Sequence, residues 1–135
     1  MIISHIGLWC KDIELLKEFY VQNFDAIVGT KYINSLTGFE SYFLKFESGT
    51  SLELMTKPEL IGFSRIDNST LLGFAHLAFN VDNMKTVDQK AKNLEDLGFK
   101  IHSGPRKTGD GYYEFETSDP EGNRIEVTSP CKDTI

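Results

Sequence analysis

The chain repeats one order of elements twice, and each copy returns a histidine and a glutamate to corresponding places. His5 sits in an opening apolar run, IISHIGLW, and Glu53 follows 48 residues later in Leu52-Glu53-Leu54. His76 sits in a second such run, FAHLAFNV, and Glu126 follows 50 residues later in Ile125-Glu126-Val127. A shared order of elements could arise by chance. One that carries the same two chemical groups at nearly the same spacing is a duplicated module.

Each copy predicts a strand, a helix and then three strands, so the fold class is α+β, built from two tandem βαβββ modules. Module 1 spans about 1–58, a connection follows over about 59–73, and module 2 spans about 74–130 of a single domain covering 1–135. In module 1 a strand is predicted at 2–9 and a helix at 12–24. Asp12 is its N-cap, and Ile13, Leu16, Phe19, Tyr20 and Phe24 form its buried stripe. Strands follow at about 26–33, 39–47 and 51–56, with Ser48, Gly49 and Thr50 turning between the last two. Pro58, Gly62, Asn68 and Gly73 punctuate the connection, which is long enough to hold a short helical turn. In module 2 a strand is expected at 74–81. A helix at 83–97 has Met84, Val87, Ala91, Leu94 and Leu97 on one face, and Gly98 lies just past its end. Short strands are expected near 99–102, 111–117 and 124–128. The turn Asp119-Pro120-Glu121-Gly122-Asn123 precedes the last of them.

Successive side chains on a strand point to opposite faces. His5 therefore shares a face with Gly7 and Trp9, and Glu53 with Ser51 and Met55. His76 shares one with Ala78 and Asn80, and Glu126 with Arg124 and Thr128. Leu52 and Leu54, Leu77 and Phe79, and Ile125 and Val127 take the opposite faces. If those apolar rows pack on the helices, the four polar groups project from the other side of the sheet. Two imidazoles and two carboxylates form a mixed nitrogen and oxygen donor set. It suits Zn, Ni, Co, Mn or Fe better than Ca or Mg. A lone histidine in a strand is ordinarily just hydrogen-bonded, and a lone glutamate just solvated; only the repeat makes His5, Glu53, His76 and Glu126 a metal set. His102 has no counterpart and reads as a surface residue.

Composition narrows the function. The net charge is −6, with both signs interspersed, so a nucleic-acid partner is not expected. No apolar run reaches the roughly 20 residues of a membrane helix, and the first residues lack the marks of a signal peptide. Cys10 and Cys131 have no metal-type spacing and are read as reduced thiols in a cytoplasmic protein.

These segments together resemble the vicinal-oxygen-chelate superfamily of glyoxalase I, bleomycin and fosfomycin resistance proteins, extradiol dioxygenases and methylmalonyl-CoA epimerase. The likeness runs over nearly the whole chain, through DIELLKEFY at 12–20, Leu52-Glu53-Leu54, Ala75 to Phe79 and, most specifically, Asp119 to Glu126. It implies a curved mixed sheet around a divalent metal ion, and a homodimer in which modules can pair between chains. Glu53 matters within the superfamily. Glyoxalase I resembles this chain in its His, Glu, His, Glu order, whereas the resistance proteins and dioxygenases generally lack a carboxylate at the second place. The resemblance thus implies a glyoxalase I-like lyase or isomerase acting beside a metal-bound carbonyl of a small substrate, such as a thiol hemithioacetal. Glu126 would be the catalytic base, and Glu53 the second carboxylate.

The chain departs from glyoxalase I where that enzyme meets glutathione. Trp9 stands where an arginine is common, and Lys57 where an asparagine is common. Trp9 reads either as a stacking surface for a planar substrate group or as a core residue. With Met55, Asn80 and Lys57 it makes up the candidate substrate-binding set. The alternatives on the same fold are a small-molecule binding protein of the bleomycin or fosfomycin resistance kind and, against the presence of Glu53, an oxygenase.

Overall fold

The computed structural model describes residues 1–47, 49–62, 70 and 72–131. The chain divides into two compact units, Met1–Asp67 and Asn68–Ile135. The expected connection at 59–73, with any helical turn in it, falls largely outside the described residues, as does Ser48 of the predicted hairpin turn.

The first unit opens with β1 (His5–Trp9) and α1 (Ile13–Phe24), followed by β2 (Ile27–Val28), β3 (Tyr32–Asn34), β4 (Phe39–Lys45) and β5 (Ser51–Thr56). Asp12 caps α1 as expected: its carboxylate accepts a hydrogen bond from the Leu15 N–H at 3.0 Å. All five residues of the predicted stripe, Ile13, Leu16, Phe19, Tyr20 and Phe24, are buried. They pack with Leu44, Leu52 and Leu54, which are also buried. Each such side chain contributes roughly 1.5–3 kcal/mol by leaving water.

The strand expected at 26–33 is broken in two. Both pieces pair antiparallel with β4, Ile27 opposite Lys45 and Tyr32 opposite Ser41. The Gly29 N–H donates to the Phe43 carbonyl between them, so the edge of β4 stays hydrogen-bonded across the break. β1 runs parallel to β5, and β4 antiparallel to it, giving one mixed sheet.

The second unit contains β6 (Leu77–Asn80), α2 (Met84–Asp96), β7 (Ser103–Lys107), β8 (Tyr112–Ser118) and β9 (Arg124–Pro130). This is a plain βαβββ unit, with β6 parallel to β9 and β8 antiparallel to it. Asn83 caps α2 by accepting from the Thr86 N–H. Gly98, at φ 89°, takes the left-handed turn that releases the chain. Val87, Ala91 and Leu94 are buried against Phe115, Ile125 and Val127.

Four expectations are corrected. Leu97 lies past the last helical turn and is 64% exposed rather than part of the buried stripe. The opening strands are shorter than predicted. β5 starts at Ser51 opposite His5, and the β6 ladder starts with Leu77 opposite Ile125, so His76 immediately precedes its strand. No strand forms at 99–102. The edge strand lies at Ser103–Lys107 instead, across Gly104 and Pro105, with an irregular register between Ser103 and Arg106. An edge strand needs only one of its sides hydrogen-bonded, so it accommodates proline. His102 is half-buried, its Nε2 hydrogen-bonded to the Ser118 hydroxyl, and burial together with the charges of Arg124 and Lys100 lowers its pKa.

Cys10 and Cys131 form no disulfide. Among the described residues no helix is long and apolar enough to cross a membrane.

Candidate functional site

In the first unit, parallel pairing brings together residues that are far apart in sequence. Gly7 of β1 stands opposite Glu53 of β5, and His5 lies two residues earlier on the same face. The His5 Nε2 is 3.5 Å from the Glu53 Oε2. Phe43 of β4 stands across from Glu53 on the other side, and its ring meets the His5 ring edge-on at 5.4 Å. Further along this face Trp9 pairs with Met55. The Lys57 ammonium lies 4.9 Å from the centre of the Trp9 ring, a cation–π contact. Phe39 meets that ring edge-on at 6.1 Å. Trp9 is 46% exposed, so the reading of it as a core residue is set aside.

The second unit repeats the register of the histidine and the glutamate. Ala78 of β6 stands opposite Glu126 of β9, and His76 lies two residues before it. The His76 Nε2 is again 3.5 Å from the Glu126 Oε2. Both glutamate side chains are 15% exposed. Asn80 pairs with Thr128, in the place that Trp9 and Met55 take in the first unit. Within each unit, then, the predicted histidine and glutamate come together. Trp9, Met55 and Lys57 gather beside the first pair, and Asn80 lies two positions along from Ala78.

The second unit also carries two carboxylates that the sequence reading missed. Glu116 of β8 stands directly opposite Glu126, and Glu114 stands opposite Thr128. Ligand atoms of His76, Glu116 and Glu126 all lie within 4.8 Å of one another. Burial, then the charge of Glu126 and a hydrogen bond with it, raises the Glu114 pKa. The Thr128 hydroxyl is buried without a hydrogen-bond partner among the described residues. Arg106 and Arg124 reach Glu114 and Glu116 only at 3.7 and 3.9 Å. The signal for Glu116 was available. A five-residue turn at Asp119–Asn123 closes a hairpin in which position 116 must face position 126.

Donor chemistry and spacing both fit a divalent cation. A separation of 3.5 Å is long for a hydrogen bond between imidazole and carboxylate. It is close to the ~3–3.5 Å between two ligands that each sit about 2.1 Å from one ion. Within each unit, an imidazole nitrogen beside a carboxylate oxygen suits a first-row transition metal.

The model of the Glyoxalase/Bleomycin resistance protein/Dioxygenase superfamily matches residues 2–127. The chain belongs to this superfamily. No curated protein matches it, but several solved structures share the superfamily fold. One is a glyoxylase/bleomycin resistance protein/dioxygenase domain from Frankia sp. EAN1pec, with a TM-score of 0.78 at 16% identity, covering 95% of this chain and 96% of that one. Another is the trypanothione-dependent glyoxalase I of Leishmania major, with a TM-score of 0.76 at 18% identity, covering 96% and 86%. A third is the fosfomycin resistance protein FosX of Listeria monocytogenes, solved with Mn(II) and sulfate, with a TM-score of 0.69 at 17% identity, covering 94% and 90%. At these identities the likeness to these solved structures establishes the fold alone.

Proposed function

We propose that this chain is a divalent-metal-dependent lyase or isomerase of the glyoxalase I type, which moves a proton beside a carbonyl of a small substrate. His5, Glu53, His76 and Glu126 hold the cation, whether the two pairs come from one chain or from two copies in a homodimer. The observation that carries this reading is the double occurrence, at one register, of a histidine nitrogen 3.5 Å from a glutamate oxygen. Zn, Ni, Co, Mn or Fe suits the donors, and FosX was solved with Mn(II). When bound, such an ion stabilises negative charge developing on substrate oxygen.

What remains for the chain itself is the proton. The Glu126 carboxylate takes it from the carbon next to the carbonyl and returns it to the former carbonyl carbon, while the substrate's hydroxyl proton passes to the former carbonyl oxygen, so that atoms and charge balance over the cycle. His76 stands beside that carboxylate, its Nε2 3.5 Å from the Oε2 of Glu126. Glu53 supplies the second carboxylate, as ligand or partner base. Trp9 and Met55 give an apolar surface to the substrate body, Lys57 a cation for an anionic substituent, and Asn80 an amide for hydrogen bonding. A thiol hemithioacetal is the substrate class to examine first, with a thiol other than glutathione.

The test is turnover of methylglyoxal with a panel of thiols by protein loaded with each metal in turn, in the cytoplasmic pH range. Activity lost on Glu126→Gln is the expected result. Bound metal with no turnover in any combination overturns the reading. Light scattering tests the dimer.

A second reading rests on the exposed aromatics Trp9 and Phe43 beside the first pair. It takes the chain as a binding or resistance protein that holds an intact ligand without chemistry. Tight binding of an aromatic or glycopeptide ligand, unchanged by Glu126→Gln, would favour it.

A further inference from the structure

We propose that Glu116 is itself a ligand of the cation held by His76 and Glu126, so that the second unit supplies three protein donors. This rests on the reading above that the histidine–glutamate face binds a divalent ion, and extends it to a residue outside the repeated set.

Three observations lead there. The first is distance: one ligand atom from each of His76, Glu116 and Glu126 lies within 4.8 Å of the other two. An imidazole is part of the group, so it is more than a run of surface acids.

The second is the electrostatics of the ladder. Glu116 and Glu126 are direct cross-strand partners. Like charges in that relation destabilise a sheet, and here the Arg124 guanidinium comes no nearer to Glu116 than 3.9 Å. A divalent cation between the carboxylates removes the repulsion.

The third is the comparison of the two units. Phe43 occupies the position of Glu116 in the first unit, opposite Glu53 in the same antiparallel register. The fold therefore places no demand for a carboxylate at this position. The acid serves something the second unit does and the first does not. The Thr128 hydroxyl, two residues beyond Glu126, is buried without a hydrogen-bond partner among the described residues.

The test is titration of the full chain with Co(II), followed by calorimetry and by the visible d–d spectrum, which reports donor number and geometry without any turnover. Wild type is compared with Glu116→Gln, Glu116→Asp, Glu114→Gln and Glu126→Gln. Loss of an outer-shell partner alone costs about 10–100-fold in metal affinity. Glu116→Gln is therefore expected to weaken binding at least about tenfold and to shift the spectrum, with Glu116→Asp recovering part of both. Glu114→Gln removes the same charge from a neighbour that hydrogen-bonds Glu126 but stands outside the donor group, so it should weaken binding without changing the d–d spectrum. If Glu116→Gln matches wild type in affinity and spectrum while Glu126→Gln does not, the inference falls and the metal reading stands. Equal weakening by Glu114→Gln and Glu116→Gln, with no change of spectrum, also overturns it, because net charge would then explain the effect. A wild-type protein that binds no cation sinks the metal reading and the inference together.

Discussion

Phe43 and Glu116 hold the same place in the two sheets: Phe43 stands across an antiparallel ladder from Glu53, and Glu116 across one from Glu126. The duplicated half-sites have thus kept their histidine and glutamate and diverged at the next residue outward. In the first, an aromatic edge braces the imidazole of His5. In the second, a further carboxylate joins the group. The halves should therefore contribute unequally to cation binding. His76→Ala is expected to weaken Zn(II) or Mn(II) affinity by more than His5→Ala, each measured by calorimetry on the full chain. Equal losses, or a larger one from His5→Ala, would contradict this.

Asp119 controls how β9 enters the sheet. It is almost fully buried. Its carboxylate accepts from the Glu121 and Asn123 backbone N–H groups at 3.0 Å and from the Asn123 side-chain amide at 2.9 Å. Removing it leaves part-buried donors without their acceptor next to the strand that carries Glu126. Asp119→Ala should cost about 2–4 kcal/mol, read from the urea midpoint. Asp119→Asn keeps an oxygen acceptor and should cost roughly half as much. A variant pair with equal stabilities would show that the carboxylate is not organising the turn.

Much of this architecture could be read from the chain alone, for identifiable reasons. The α1 stripe was legible because its apolar residues follow one helical period without interruption and Asp12 marks the start. The histidine–glutamate pairs were legible because strand alternation fixes the face and duplication confirms it. Leu97 was misplaced because periodicity does not announce the last turn of a helix. The edge strand β7 was missed because Gly104-Pro105 reads as a breaker, whereas an edge tolerates both. Glu116 went unread for a different reason: its partner is fixed by hairpin counting across Asp119–Asn123, and the repeat, which drew attention to the other four residues, has phenylalanine in its place.

Gly104 tests whether the geometry of that edge matters. Its φ is +79°, and a Cβ there would collide with the Glu114 carbonyl oxygen and press on the Phe115 Cα at 3.0 Å and the Arg106 nitrogen at 3.1 Å. These are backbone atoms, which cannot swing aside as a side-chain tip can. Gly104→Ala should destabilise by about 2–4 kcal/mol. Gly109→Ala meets nothing within 4 Å and should change stability by less than about 0.5 kcal/mol. Comparable urea midpoints for the two variants would refute the packing argument.

Acid stability should carry the signature of Glu14. Its carboxylate accepts from Lys17 at 2.8 Å, Lys31 at 3.1 Å and the Tyr42 hydroxyl at 3.0 Å. The hydrogen bonds from the two lysines come first among the causes that bring its pKa down from 4.5 to about 2. A carboxylate with a depressed folded-state pKa binds protons more weakly folded than unfolded. Its contribution is therefore complete above pH 4.5 and is lost as the pH falls from there toward 2. The side chain is half exposed, so solvent and salt screen much of the effect. Glu14→Gln should leave a shallower decline of stability over that window, with the difference from wild type shrinking as salt is added. The measurement is the urea midpoint at a series of pH values, at low and high ionic strength. Parallel curves for the two proteins across the window would show that these lysines do not hold the Glu14 proton affinity down.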